Sequence, residues 1–346
     1  MTIHYSLPQL GWKHFFQQQL TLEEWEAFTI ARVVGLERSV VHLLTTDGKQ
    51  SLPITPHMPG ITVGDWLLLD DEYRFLRLLE RSSLFSRKAS GTKVATQLIA
   101  ANVDTVFVVS SMNLDFNLNR IERYLALAHE AGVAPVIVLT KLDCCDSPQD
   151  YQSQVQALSS LLEVVIVNSL DADSVNQLKA WCATGETVAL LGSSGVGKST
   201  IVNTLLGSEI QRTHSTRKDD DKGRHTTTGR SIHFLAAGGL LLDTPGMREL
   251  QLADCEHGVE ETFPEIVELA TRCKFSDCNH NSESGCAVRE AIESGKLDER
   301  RLVSYQKLIR EQAFNAATIA EKRAHDREFG RYVRSVMDSK RKKTGQ

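Results

Sequence analysis

The chain has 346 residues, 41% hydrophobic and 24% charged, enough for two or three globular domains with sizeable cores. A net charge of −5 excludes a polyanion-binding surface spread over the whole molecule, so any RNA contact must come from local basic patches. Seven cysteines, an odd number, argue against a disulfide framework and for free or metal-bound thiols.

Residues 1–27 form an N-terminal extension without the basic and apolar stretches of a signal peptide. No apolar run reaches the roughly 20 residues that span a bilayer, so the expected setting is cytoplasmic, with no membrane partner. The clearest element here is a short helix around "TLEEWEAF", with Thr21 as cap and Glu24 completing a capping box. From 28 to 84 the pattern becomes β-branched and partly alternating, with a turn at Asp47-Gly48. A small β-barrel of about five strands fits, an OB-fold being the natural candidate. A structural β-domain with no ligand fits the same pattern.

From 85 to 255 strands and helices alternate. "DTVFVVSS", "VAPVIVLT", "EVVIVNS" and "ETVALLG" read as strands. "LNRIERYLALAHEAG", "DYQSQVQALSSLL" and "DSVNQLKAWCA" read as the helices between them. Such alternation predicts a mostly parallel sheet with ligands at the strands' C-terminal ends. Two motifs fall there. The earlier is "TKLD", in which Asp143 follows an apolar strand and is placed to accept the N1–H and exocyclic amine of guanine as a charge-assisted pair. Lys141 lays its aliphatic stem along the base, and Thr140 stands where Asn is usual. "VNSL" at 167–170 is a weak candidate for a loop backing the base.

The later motif is Gly192-Ser193-Ser194-Gly195-Val196-Gly197-Lys198-Ser199, followed by Thr200, which matches G-x-x-x-x-G-K-[ST] in full. Its backbone N–H groups and the following helix N-terminus suit phosphate oxygens. Lys198 is expected at the β- and γ-phosphates and the Ser199 hydroxyl on Mg²⁺. Next comes "DDDKGRHTTTGR", a switch-like segment in which Thr226 or Thr227 offers a hydroxyl to the metal. Asp243 then ends an apolar strand before Thr-Pro-Gly; it is expected to hold Mg²⁺ through water, with the Gly246 N–H at the γ-phosphate. In ordinary GTPases the base reader follows the phosphate loop. Here it precedes it, so the order is that of a circularly permuted GTPase domain.

From 256 to 346 the pattern is helical apart from Cys273, Cys278, His280 and Cys286, which together suit one tetrahedral, structural zinc site. Cys144, Cys145, Cys182 and Cys255 read as ordinary thiols. The chain ends in a basic tail containing Lys340–Lys343.

The motifs "TKLD", "GSSGVGKST", "GRHTTT", "DTPGMREL" and C-x₄-C-x-H-x₅-C, in that order, resemble the RsgA or YjeQ family of circularly permuted GTPases that depend on the small ribosomal subunit. The resemblance runs from about residue 28 to the end. It implies an N-terminal OB-fold, a permuted GTPase domain and a C-terminal zinc domain. It also implies late maturation of the small subunit, with its rRNA as partner, GTP and GDP as ligands, and hydrolysis stimulated by the subunit. Met247 stands where many GTPases place Gln to orient the attacking water, so unassisted hydrolysis is expected to be slow. The resemblance offers His225 for that role. The expected protein is a monomer that docks in its GTP form and leaves on hydrolysis. Two alternatives stand beside this reading: a paralogous GTP-dependent RNA-binding assembly module with another ribonucleoprotein partner, and a P-loop ATPase, which Asp143 opposes.

Overall fold

The computed structural model describes residues 4–88, 96–207, 230–243, 247, 250, 252 and 255–316. Two short helices, α1 (His14–Gln17) and α2 (Leu22–Ala27), lead in. The capping box on α2 forms as expected: Thr21 Oγ1 accepts from the Glu24 N–H at 3.1 Å, and the Glu24 carboxylate accepts from the Thr21 N–H at 2.9 Å. Five antiparallel strands follow, β1 (Thr29–Leu36), β2 (Val40–Thr45), β3 (Gly48–Pro53), β4 (Trp66–Leu69) and β5 (Phe75–Leu78), in the order β3-β2-β1-β4-β5. Thr45 pairs with Gly48, so the β2–β3 turn is Thr46-Asp47, one residue earlier than expected, with Gly48 taking the positive φ of 117°. One face encloses Ala31, Val33, Val41, Leu43, Leu67 and Leu69. The other is covered by Leu10 and Phe16 of the N-terminal extension packed on Trp66 and Leu68, which is why every residue of β4 is buried.

After the hairpin β6 (Leu84–Lys88) and β7 (Thr96–Ala101) comes the α/β unit. Its elements are β8 (Thr105–Ser111), α3 (Leu118–Glu130), β9 (Ala134–Thr140), α4 (Pro148–Gln156), β10 (Glu163–Ile166), α5 (Ala172–Asn176), β11 (Thr187–Gly192), α6 (Lys198–Leu206), β12 (Arg230–Phe234) and β13 (Leu240–Asp243). Strands β10-β9-β8-β11-β13 are parallel, and β12 closes the edge antiparallel. Strands β8, β9 and β11 are buried along most of their length, so they read as continuous apolar runs such as Val106–Val109. The helix expected over "DSVNQLKAWCA" divides: α5 passes into a 3-10 turn at Gln177–Trp181. That turn buries Leu178 and sets Trp181 edge-on to Phe107 at 6.3 Å, so packing overrides the helical period. β12 also pairs with β1, Gly35 opposite Ser231, which makes the N-terminal five-stranded sheet and the α/β sheet continuous. Arg32, fully buried in β1, ties the same junction by donating to the Leu10 carbonyl and to Thr187 Oγ1 at 2.8 Å.

Four helices end the described chain: α7 (Glu256–Thr262), α8 (Pro264–Ala270), α9 (Ala287–Glu293) and α10 (Glu299–Ala316). α7 lies against α3 at Gly258, where a Cβ would sit 2.1 Å from the Ala126 carbonyl oxygen; only glycine permits that approach. Beside it, the buried carboxylate of Glu122 on α3 receives Arg300 at 3.0 Å, Arg301 at 2.6 Å and the Ser304 hydroxyl at 2.5 Å. Among the described residues no helix is long and apolar enough to cross a membrane.

Candidate nucleotide site and metal centre

Because β9, β8, β11 and β13 are parallel neighbours, their C-terminal ends meet at one edge, and the segments singled out in the sequence leave from it. Gly192 ends β11 level with Val109, and Thr140 ends β9 level with Ser111. Asp243 ends β13, one strand across from β11. The loop from Gly192 is shaped by glycine. Gly192, Gly195 and Gly197 take φ of 147°, 79° and 100°. A Cβ on Gly192 would meet the Val109 carbonyl oxygen at 2.4 Å, and one on Gly197 the Ser169 hydroxyl at 2.8 Å. The chain then enters α6 at Lys198. Such a bend turns successive N–H groups to one concave side, a cradle for an anion. Lys198 is folded back over it, donating from Nζ to the Gly192 carbonyl at 2.7 Å and to the Ser193 carbonyl.

Thr140 is fully buried and donates its hydroxyl to the Val196 carbonyl at 2.7 Å. The side chain standing in the usual Asn position thus braces the phosphate loop. Lys141 follows in the left-handed region, φ 64°, and turns the chain so that Asp143 stands exposed in a short 3-10 turn. The neighbouring Cys144 thiol donates to Asp143 Oδ2 at 3.2 Å, and that contact holds the thiol pKa above its ordinary value. From the β10 side, the Val167 N–H donates to the Leu139 carbonyl at 2.8 Å. Ser169 is buried against Gly197, its hydroxyl without a hydrogen-bond partner among the described residues. The weakly marked "VNSL" segment therefore touches the phosphate loop. The residues present fit a nucleotide: an N–H cradle, a lysine held on replaceable carbonyls, an exposed carboxylate, and an orphaned hydroxyl between them.

Sequence reasoning missed Arg120, on the first turn of α3, which donates to Ser193 Oγ at 2.8 Å. Nothing local marks it, since its partner is 73 positions away. His225, Thr226, Thr227 and Gly246 lie outside the described residues, as does the tail with Lys340–Lys343. Met247 is buried in the core that joins the sheet to the C-terminal helices, so its position presents no side chain to the site.

The four expected metal ligands come together. Cys273 Sγ lies 3.6 Å from His280 Nδ1, Cys286 Sγ lies 3.5 Å from the same nitrogen, and the two sulfurs are 3.9 Å apart. With Cys278 all four ligand atoms fall within 4.8 Å of one another. Tetrahedral zinc with Zn–S near 2.3 Å needs sulfurs about 3.8 Å apart, so the donor set fits that ion. Burial raises the Cys273 pKa, but the backbone N–H groups of Val288 and Ala287 lower it and win, which favours the thiolate. Burial also keeps His280 below its ordinary value against the pull of Glu283, favouring the neutral imidazole a metal needs. The Glu283 carboxylate accepts from the Asn279, Asn281 and Ser282 N–H groups at 2.8–3.0 Å and fixes the bend around His280, itself at φ 59°.

The family profile described as RsgA GTPase matches residues 78–253. The small ribosomal subunit biogenesis GTPase RsgA 2 of Vibrio parahaemolyticus is 59% identical over 337 residues, 97% of this chain and 94% of that relative. The small ribosomal subunit biogenesis GTPase RsgA of Mesorhizobium japonicum is 46% identical, covering 90% of this chain and 91% of its own. Among solved structures, YjeQ from Thermotoga maritima superposes with a TM-score of 0.58 at 25% identity, over 82% of this chain and 98% of that one. YloQ, described as a circularly permuted GTPase, shares the fold with a TM-score of 0.56 at 22% identity, over 82% of this chain and 94% of that one.

Proposed function

The chain belongs to the RsgA GTPase family and is a GTP hydrolase, and from that premise we propose that it serves late maturation of the small ribosomal subunit. The subunit stimulates hydrolysis, and hydrolysis drives release. In this reading Asp143 accepts the guanine N1–H and amine, and Lys141 lies along the base. Residues Gly192–Thr200 wrap the phosphates. Lys198 exchanges the carbonyls of Gly192 and Ser193 for β- and γ-phosphate oxygens. Ser199, Thr227 and Asp243 would hold Mg²⁺, which supplies charge neutralisation on the transferring phosphoryl group. Gly246 N–H meets the γ-phosphate, and His225 orients the attacking water. The observation that carries this reading is the Thr140–Val196 hydrogen bond, because it ties the strand end three positions before the Asp143 carboxylate to the loop that would hold the same nucleotide's phosphates.

The division proposed is an extension at 1–27, an OB-fold at 28–84, the permuted GTPase domain at 85–255 and a zinc-binding helical unit at 256–346. Five antiparallel strands around their own core support the OB-fold, and the converging Cys₃His set supports one structural Zn²⁺. RNA contact is assigned to the barrel, the zinc unit and the basic tail of a cytoplasmic monomer. The test is the GTPase rate with and without purified small subunits across salt concentrations, since phosphate contacts weaken as salt rises. Stimulation of about 10³-fold or more at low salt, fading at high salt, is expected for supplied catalytic geometry. An unchanged rate with subunits added sinks the proposal. Asp143→Asn should in parallel erase the preference for GTP over ATP, of the order of 10⁴ for a site that hydrogen-bonds donors the wrong substrate lacks.

A further inference from the structure

Arg120 has no part in the reading above, yet it stands at the phosphate loop. Its Nη1 donates to Ser193 Oγ at 2.8 Å and to both oxygens of Asp115 at 2.9 Å. The Arg120–Asp115 pair is partly exposed, 37% and 45%, and alone adds little stability. The third contact gives it consequence. Ser193 is the second residue of the loop, and its carbonyl is one of the two that hold Lys198. Because Ser193 Oγ accepts from Arg120, the hydroxyl's own hydrogen is left to be donated to an incoming phosphate oxygen. The guanidinium also adds a positive charge at the rim, where a triphosphate brings several negative ones.

The same turn of α3 grips the C-terminal unit. Two residues on, Glu122 is locked to Arg300, Arg301 and Ser304. Three residues on, Arg123 donates to the Glu311 carboxylate of α10 at 2.9–3.3 Å and to the Leu250 carbonyl at 2.9 Å. One helical turn therefore holds the phosphate loop through Arg120 and α10 through Glu122 and Arg123, and rigid elements of this kind can carry coupling between sites.

We propose that Arg120 is a positioning residue for GTP hydrolysis: it sets the Ser193 hydroxyl and the loop backbone, and through the shared turn of α3 it couples occupancy of the loop to the docking of α10. The proposal rests on the phosphate-loop reading. Its test compares the full-length wild type with Arg120→Ala, Ser193→Ala and the double variant, with melting temperature as the control for folding. Each single variant should lower kcat/KM for GTP about 5–20-fold, and the double by clearly less than the product of the two, because the singles share the removed contact. In wild type a non-hydrolysable GTP analogue should slow hydrogen exchange of α10 amides about 5-fold or more, the lower range of coupling between linked sites. In Arg120→Ala that protection should vanish while the analogue still binds at saturating concentration, a change that a merely structural role would not produce. Unchanged kinetics, additive losses, or nucleotide protection of α10 that persists without Arg120 would each overturn the proposal. Lys198→Ala separates the two levels. If it binds GTP normally, the underlying reading fails; if it loses binding while Arg120→Ala is silent, only this inference falls.

Discussion

Thr140 shows how one side chain can serve a site without facing the ligand. Its hydroxyl is committed to the Val196 carbonyl, and the residue is fully buried between β9 and the phosphate loop. A valine there keeps the β-branched shape and volume but removes the donor, leaving a carbonyl in a dry corner. We expect Thr140→Val to cost about 1–3 kcal/mol, the penalty of an unpaired buried polar group. The loss should also weaken GTP binding, because Val196 adjoins Gly197, whose φ of 100° leaves the loop no alternative path. Thermal melting and nucleotide titration of the same variant check both effects. A variant with normal stability but impaired binding would place the hydroxyl at the base instead.

At the scale of elements, the sequence carries whatever depends on near neighbours. The apolar runs of β8, β9 and β11, the capping box of α2, and the glycine pattern after β11 are local, so they could be read directly. The permuted order of "TKLD" and the phosphate loop was legible because strands signal where their C-terminal ends lie. The spacing of Cys273, Cys278, His280 and Cys286 was legible because all four ligands come from one short stretch. Glu122 was not. In "LNRIERYLALAHE" it reads as one more polar residue of an amphipathic helix, yet its partners are 178 to 182 positions away on α10. The pairing of β12 with β1 was hidden for the same reason: strand partners so far apart in the chain leave no periodic trace. This buried cluster yields a prediction. Glu122→Ala leaves the side chain of Arg301, only 7% exposed, without one of its two carboxylate partners, the other being Glu265. Breaking a buried pair from one side costs about 3–5 kcal/mol. Denaturant unfolding should register that loss, and Glu122→Gln, which keeps one acceptor oxygen for the guanidinium groups, should recover part of it.

Across the whole molecule, two devices shape the C-terminal unit. One is the ligand set Cys273, Cys278, His280 and Cys286, which shapes the bend between α8 and α9. The other is the seam of α7 and α10 on α3, built from Gly258, Glu122 and Arg123, with Asn315 donating to the Leu252 carbonyl at 2.7 Å. They touch through Gln306 Nε2 on the Asn279 carbonyl at 2.9 Å, the Arg289–Glu299 ion pair at 3.1 Å and a shared apolar core that includes Cys286, Val288 and Leu302. Metal binding and folding are linked in such clusters, because four thiolate and imidazole donors repel or protonate once the ion is gone. A strong chelator should therefore release the backbone of residues 273–286 to fast hydrogen exchange. The seam has its own buried charges and apolar contacts, Val259, Phe263 and Leu302 among them, so α10 should stay protected under the same treatment. Exchange measured segment by segment before and after chelation distinguishes the cases. If α10 loses protection together with the bend, the ion supports the entire unit, and the seam on α3 is too weak to stand alone. If only the bend opens, a metal bound there can be lost while α10 keeps its hold on α3, the helix whose Arg120 reaches the phosphate loop.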